Sequence, residues 1–203
     1  MAKADPPKTA IEARKDKLER MRRAIRSFLE AAGVNVRAAA LETTPDHVAR
    51  AFVEDYLDGY EADAADVLKE AYPVPEARGA TEMVLVKDIA FHGMCPHHLL
   101  PFHGRAHVAY IPFEKLASLS SLARLVDVFA HRLEIQETVT RQIAEALDEH
   151  LGALGSAVVL DTDQTCMTTR GVSREGARTV TQHFSGLFAE KGELRSELLA
   201  RTQ

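Results

Sequence analysis

Apolar residues recur at helical spacing from early in the chain. Ile11, Leu18, Met21, Ile25, Phe28 and Leu29 form one stripe between charged positions, and Gly33 supplies a stop. The pattern predicts a long first helix behind a polar, mobile arm over residues 1–8 that contains Pro6 and Pro7. Its other side, with Arg14, Lys15, Lys17, Glu19, Arg22, Arg23 and Arg26, reads as a solvated face. A second helix is expected with Thr44 as N-cap and Pro45 in the first turn, carrying Val48, Phe52, Val53, Tyr56 and Leu57 up to Gly59. A third, shorter helix is expected from Asp63 to Ala71. Pro73, Pro75 and Gly79 then punctuate the chain, and the period shortens to that of a strand in Met83-Val84-Leu85-Val86-Lys87-Asp88-Ile89. This change predicts an N-terminal arm and helical region over 1–80 and a main domain over 81–203.

Further along, Gly104 to Pro112 reads as a second strand, close enough to pair antiparallel with the first. Ser120 is expected to cap a helix bearing Leu122, Leu125, Val126 and Phe129. The next helix turns Ile135, Val139, Ile143, Leu147 and Leu151 inward. Two more strands follow, Ser156 to Asp161 and roughly Arg178 to Ser185. The order strand, strand, helix, helix, strand, strand predicts an α+β fold with a four-stranded antiparallel sheet and both helices on one face. The remaining face and the sheet edges predict a homo-oligomer in which subunits continue the sheet.

Composition narrows the class. With 46% hydrophobic and 27% charged residues the chain is an ordinary globular protein, neither disordered nor membrane-spanning. Net charge is −5 and no Lys/Arg block follows the first helix, which argues against nucleic acid and membrane surfaces as partners. The opening Met1-Ala2-Lys3-Ala4-Asp5 has no apolar signal segment, so a cytoplasmic location with reduced cysteines is expected.

There are only two cysteines, and their settings differ from those of ordinary core residues. Cys95 opens Cys95-Pro96-His97-His98, and Cys166 precedes Met167-Thr168-Thr169-Arg170-Gly171. Alone, two cysteines could be small buried hydrophobes or a disulfide. The adjacent histidine pair favours a metal: two thiolates and an imidazole suit Zn²⁺, and three protein ligands leave its fourth position open for chemistry. The first strand ends before Cys95 and the third before Cys166, so both can reach one end of the sheet.

Several motifs stand in fixed order: Cys95-Pro96-His97-His98, His107-Val108-Ala109-Tyr110-Ile111-Pro112, Leu119-Ser120, Gln136-Glu137, Cys166-Met167 and Arg170-Gly171-Val172. Together they resemble the GTP cyclohydrolase I family over about Thr44 to Phe188. The resemblance implies the tunnelling fold with an N-terminal helical extension, usually a homodecamer with active sites between subunits. It implies zinc on Cys95, His98 and Cys166, and a reaction in which water attacks C8 of the guanine ring of GTP. The imidazole ring opens, formate leaves, and the ribose carbons close a pterin ring to give 7,8-dihydroneopterin triphosphate. His97 matches the family's general acid/base, and Gln136-Glu137 match its guanine-reading pair, since a carboxylate accepting from N1–H and the 2-amino group forms a bidentate contact. Ser120, Arg124 and Arg170 match triphosphate contacts; arginine's planar fork suits phosphate.

The sequence departs from this pattern at particular positions. Gln164 stands where the family normally has a second catalytic histidine; as a substrate contact it can hydrogen-bond but cannot shuttle a proton. Ser121 stands in place of a lysine, His47 in place of an arginine and Pro96 in place of an acidic residue. Three readings follow. The first is a zinc-dependent GTP cyclohydrolase. The second is a diverged paralogue that hydrolyses a related purine or pterin with fewer phosphates. The third is a non-catalytic oligomer that binds a purine or pterin.

Overall fold

The N-terminal stripe forms α1, Lys8–Ala31, and the chain turns at Gly33 with a positive φ of 78° that a residue without Cβ adopts freely. The computed structural model describes residues 8–74, 82–171 and 173–202, so the arm over 1–7, the expected boundary near residue 80 and Val172 lie outside the described residues. Helix α2 spans Thr44–Ala51. Its N-cap is Thr43 rather than Thr44, and no side-chain bond is made there; the Thr43 carbonyl instead accepts the N–H groups of Asp46 and His47. Pro45 fits the first turn because the N–H it lacks would have no helical partner. A π-type turn, Phe52–Tyr56, follows. The chain divides into two compact units, one ending at Asp55 and the other beginning at Tyr56. Within the first, Arg14 pairs with Glu54 at 2.9 Å, while Phe28 of the apolar stripe stays 68% exposed.

The second unit opens with a 3-10 turn, Asp58–Glu61, and α3, Ala64–Leu68. Asp63 caps α3 by accepting the Ala65 N–H at 2.8 Å; the helix ends at Leu68, shorter than expected, because Ala71 pairs with Ala117 in a strand, β1, Ala71–Pro73. The next elements are β2 (Val84–Met94), β3 (Pro101–Ile111) and β4 (Lys115–Ala117). After them come α4 (Leu119–Ala130), α5 (Gln136–Leu151), β5 (Gly155–Gln164), α6 (Thr165–Thr168), β6 (Thr179–Phe184), α7 (Gly186–Glu190) and α8 (Gly192–Thr202). The main sheet is antiparallel in the order β2-β3-β5-β6, and β1 pairs with β4 apart from it. The buried Tyr110 anchors this small pair: its phenol oxygen accepts the Ala117 N–H at 2.9 Å.

Strand alternation sorts the core into two layers. Ala106, Val108 and Tyr110 of β3, with Val158 and Leu160 of β5, pack under Leu122, Leu125 and Val126 of α4 and Val139, Ile143 and Leu147 of α5. Their neighbours Ala109, Ile111, Ala157 and Val159 point the other way, against Phe188 of α7 and Leu198 of α8. The α+β arrangement with two helices on one face is thus present. The C-terminal helices cover part of the second face, which the strand pattern alone left bare. Two helix starts differ from expectation. Ser118, not Ser120, caps α4 by accepting the Ser121 N–H at 3.1 Å, which puts Ser120 in the exposed first turn. Ile135 is the extended N-cap of α5 and is 40% exposed, because it precedes the helical phase that turns Val139, Ile143 and Leu147 inward.

Candidate metal centre and its cleft

The loop between β2 and β3 is closed at its base by two hydrogen bonds, Cys95 N–H to the Leu100 carbonyl and Leu99 N–H to the Cys95 carbonyl, both 3.0 Å. It buries Cys95 and leaves His97 and His98 exposed. On the neighbouring pair of strands, Phe102 at the start of β3 registers with Gln164 at the end of β5, and α6 follows at once with Cys166. The Thr165 hydroxyl donates to the Pro101 carbonyl and ties α6 to β3. The two cysteine motifs therefore meet at one end of the sheet.

A ligand atom from each of Cys95, His98 and Cys166 lies within 4.8 Å of the others. Tetrahedral zinc with sulfur at about 2.3 Å and nitrogen at about 2.0–2.1 Å needs donors roughly 3.5–3.8 Å apart, which side-chain adjustment reaches from this arrangement. Both cysteines are free thiols. Burial pushes the Cys166 thiol up, and the neighbouring Cys95 adds to that; Arg170 acts in the opposite direction. A bound cation would reverse the balance and favour thiolate. The donor set thus fits zinc. The His97 ring also turns inward, with Nδ1 3.9 Å from Cys95 Sγ.

Cys95 and Cys166 open onto a cleft of about 270 Å³, lined also by His97, Phe102, Gln136, Glu137 and Gln164. Adjacent residues at the start of α5 play opposite parts there. Gln136 is 3% exposed, and its Nε2 donates to the carbonyls of Leu160 at 3.0 Å and Thr179 at 3.1 Å. Its Oε1 accepts from the Thr162 hydroxyl at 2.6 Å and from Gln164 Nε2 at 2.7 Å. All four of its hydrogen-bonding positions are spent inside the protein, so its side chain has none left for the guanine contact that the resemblance implies. Glu137 is exposed toward the cleft, with no ion pair among the described residues.

The remaining expected contacts stand elsewhere. Ser120 and Arg124 lie in α4 and Arg170 follows α6, all three exposed and none lining this cleft. Ser121 is fully buried, its hydroxyl 2.7 Å from that of Ser118 and accepting from Arg124 at 3.3 Å. His47 belongs to α2. Thr162 and Thr179 were missed as partners of Gln136; strand alternation, which puts Thr162 on the same face as Leu160 and Gln164, was the available signal.

Comparison with known proteins agrees with this geometry. The family model for GTP cyclohydrolase I matches residues 21–203. A GTP cyclohydrolase 1 of Bartonella quintana is 44% identical over 170 residues, 84% of this chain and 81% of that protein. That of Campylobacter lari is 44% identical over 179 residues, 88% of this chain and 92% of its own length, and that of Bifidobacterium longum 45% over 185 residues, 89% and 90%. The cleft and its cysteine–histidine cluster are accordingly those of a chain that belongs to the GTP cyclohydrolase I family.

Proposed function

We propose that this protein hydrolytically opens the imidazole ring of GTP, releases formate and forms 7,8-dihydroneopterin triphosphate. The observation that carries the reading is the convergence of Cys95, His98 and Cys166 on the wall of a cleft that also holds His97, Glu137 and Gln164. Cys95, His98 and Cys166 would hold zinc, which would supply Lewis acidity for activating water at neutral pH. His97, beside Cys95, is the proton carrier, since imidazole serves transfer in either direction. Glu137 accepts from N1–H and the 2-amino group of guanine, a charge-assisted pair that adenine cannot form. Gln136 holds the cleft wall in place.

The triphosphate needs cations, and among the described residues none of the side chains lining the cleft is Lys or Arg. We infer a homo-oligomer, a decamer by family resemblance, in which Ser120, Arg124 and Arg170 complete a site from a neighbouring copy. Among the described residues no helix is long and apolar enough to cross a membrane.

One observation favours a second reading. Gln164 cannot titrate, and the buried Ser121 is taken up in the α4 cap, so proton transfer and phosphate binding are both weaker than the family pattern implies. A paralogue acting on a less phosphorylated purine or pterin fits these two positions. The test is to supply zinc-loaded protein with GTP, GMP, guanosine and guanine separately, and to measure formate and, after oxidation, pterin fluorescence. Formate with pterin from GTP supports the first reading; turnover confined to the less phosphorylated compounds replaces it with the second; no product from any of them rules out both.

A further inference from the structure

Resting on that functional reading, we infer that Gln164 is a specificity-determining residue whose amide oxygen faces the cleft as a hydrogen-bond acceptor, so the bound ligand places an N–H or O–H donor against it. The inference follows from a chain of fixed polarities. The carbonyls of Leu160 and Thr179 can only accept, so the group of Gln136 that faces them at 3.0 and 3.1 Å is its NH₂. Gln136 Oε1 therefore faces the other way, toward Thr162 and Gln164.

Two donors must meet that oxygen. The Thr162 hydroxyl gives its proton at 2.6 Å, which leaves its own oxygen to accept from Gln164 Nε2 at 3.2 Å, and the same Nε2 donates to Gln136 Oε1 at 2.7 Å. The opposite orientation of Gln164 would press two carbonyl oxygens together at 2.7 Å with no proton between them. Gln164 Nε2 is thereby turned toward Gln136 and Thr162, and its Oε1 has no protein partner among the described residues. Gln164 lines the same cleft as Cys95 and Cys166. A ligand lone pair directed at Gln164 is repelled; an N–H or O–H is bound.

On a guanine nucleotide the donor has three sources, a ribose hydroxyl, the ring N1–H or the exocyclic 2-amino group. Equilibrium binding to zinc-loaded protein at about pH 8, where imidazole is neutral, separates them. The ligands are GTP, 2′-deoxy-GTP, 3′-deoxy-GTP, ITP and 1-methyl-GTP; the proteins are the native chain, Q164M, Q164A and Q164H. Loss of a Glu137 contact weakens ITP and 1-methyl-GTP in all four proteins; in the native chain one analogue should bind about threefold to tenfold more weakly on top of that, through loss of one neutral hydrogen bond to Gln164. In Q164M and Q164A that preference disappears while the others persist. Q164H keeps it, because a ring N–H can take Gln136 Oε1 and leave the second nitrogen as acceptor. A deoxy analogue as the affected ligand identifies a ribose hydroxyl, 1-methyl-GTP identifies the ring N1–H, and ITP, which keeps N1–H and lacks the 2-amino group, identifies the exocyclic amine. If Q164M and Q164A retain every native preference, or weaken all ligands equally, while formate is still released from GTP, this inference fails and the proposed function stands. If GTP neither binds nor yields formate, both fail.

Discussion

The backbone N–H of Asp88 donates to Nδ1 of His107 at 3.2 Å, across a β-bulge between Val86 and Ile89 in which Asp88 has a φ of +60°. Arg105, two residues from His107 on β3, donates to the Asp88 carbonyl at 3.2 Å, so side chains of the partner strand hold both polar groups of the strained residue. An imidazole that accepts at Nδ1 must be neutral there. Burial lowers the proton affinity of His107, and Lys87 adds to that, against the opposing charges of Asp88 and Asp161. Above about pH 6.5 the ring is neutral both folded and unfolded. As pH falls below that, the unfolded chain takes up the proton first, so stability declines until the lower folded value is passed. Urea unfolding should therefore show a loss on going from pH 7.5 to 5 that is smaller in His107→Gln, which keeps an acceptor without titrating. His107→Ala should cost about 1–3 kcal/mol at pH 7.5 by leaving the Asp88 N–H unmet. Equal pH profiles for native chain and glutamine variant would remove His107 from the account.

Metal binding is checked without reference to turnover. Purified protein should hold about one zinc per chain by elemental analysis, as expected of a single three-ligand site. Cys95→Ser, Cys166→Ser and His98→Ala should each lose most of it. Pro96→Ala, beside the ligands but contributing no donor, should retain it. Chelation should expose both thiols to a modifying reagent, and zinc should protect them again. Full zinc content in a Cys166→Ser protein would show that the three side chains do not form one site.

The core elements were legible in the sequence where one periodicity ran unbroken, as in α5 with Val139, Ile143, Leu147 and Leu151, and in the alternating β3 and β5. The cysteine–histidine cluster was legible because its spacing and the strand order both pointed to one sheet end. What escaped depended on tertiary partners. Strand β1 includes Pro73, which argues against a central strand, and it is held by pairing with β4. Ser118 and Ser120 both precede a helical stripe, and only the geometry of Ser118 with the Ser121 N–H selects the cap. Gln136 looked like a ligand contact in one dimension; three β-strand residues, Leu160, Thr162 and Thr179, absorb it in three.

Gln136 and Glu137 should separate cleanly under mutation. Gln136→Leu removes four side-chain hydrogen bonds at a buried position and should cost about 2–4 kcal/mol in unfolding free energy, read by urea titration. Glu137→Gln should leave stability within about 0.5 kcal/mol, because the carboxylate is exposed and has no ion pair among the described residues. The same change should weaken GTP binding about tenfold or more by replacing a charge-assisted acceptor pair. An unfolding free energy unchanged in Gln136→Leu would show that these hydrogen bonds do not hold the cleft wall.

Shared sites predict complementation. If Arg124 serves the cleft of a neighbouring copy, Arg124→Ala and Glu137→Gln chains, each impaired alone, should regain formate release when unfolded and refolded together, since some hybrid sites then contain both native residues. Mixed assemblies no more active than the average of the two pure variants would place Arg124 and Glu137 in the site of one chain.

Gln164 hangs from Gln136 through an N–H, and a histidine in its place could donate one ring N–H to the same Oε1 while turning the second nitrogen to the cleft. That nitrogen can accept and release a proton, which the amide oxygen of Gln164 cannot do, and one well-placed acid/base group is worth roughly 10²- to 10⁴-fold in rate. Gln164→His should therefore raise kcat for formate release from GTP by about 10²-fold or more, with little change in KM, since an acceptor faces the ligand in both proteins. The gain should require the anchor: in a Gln136→Leu background the imidazole is no longer oriented, and most of it should vanish. An unchanged kcat in Gln164→His would mean that proton transfer at this position does not limit the reaction, and attention would move to the phosphate contacts, where Ser121 lies buried against Ser118.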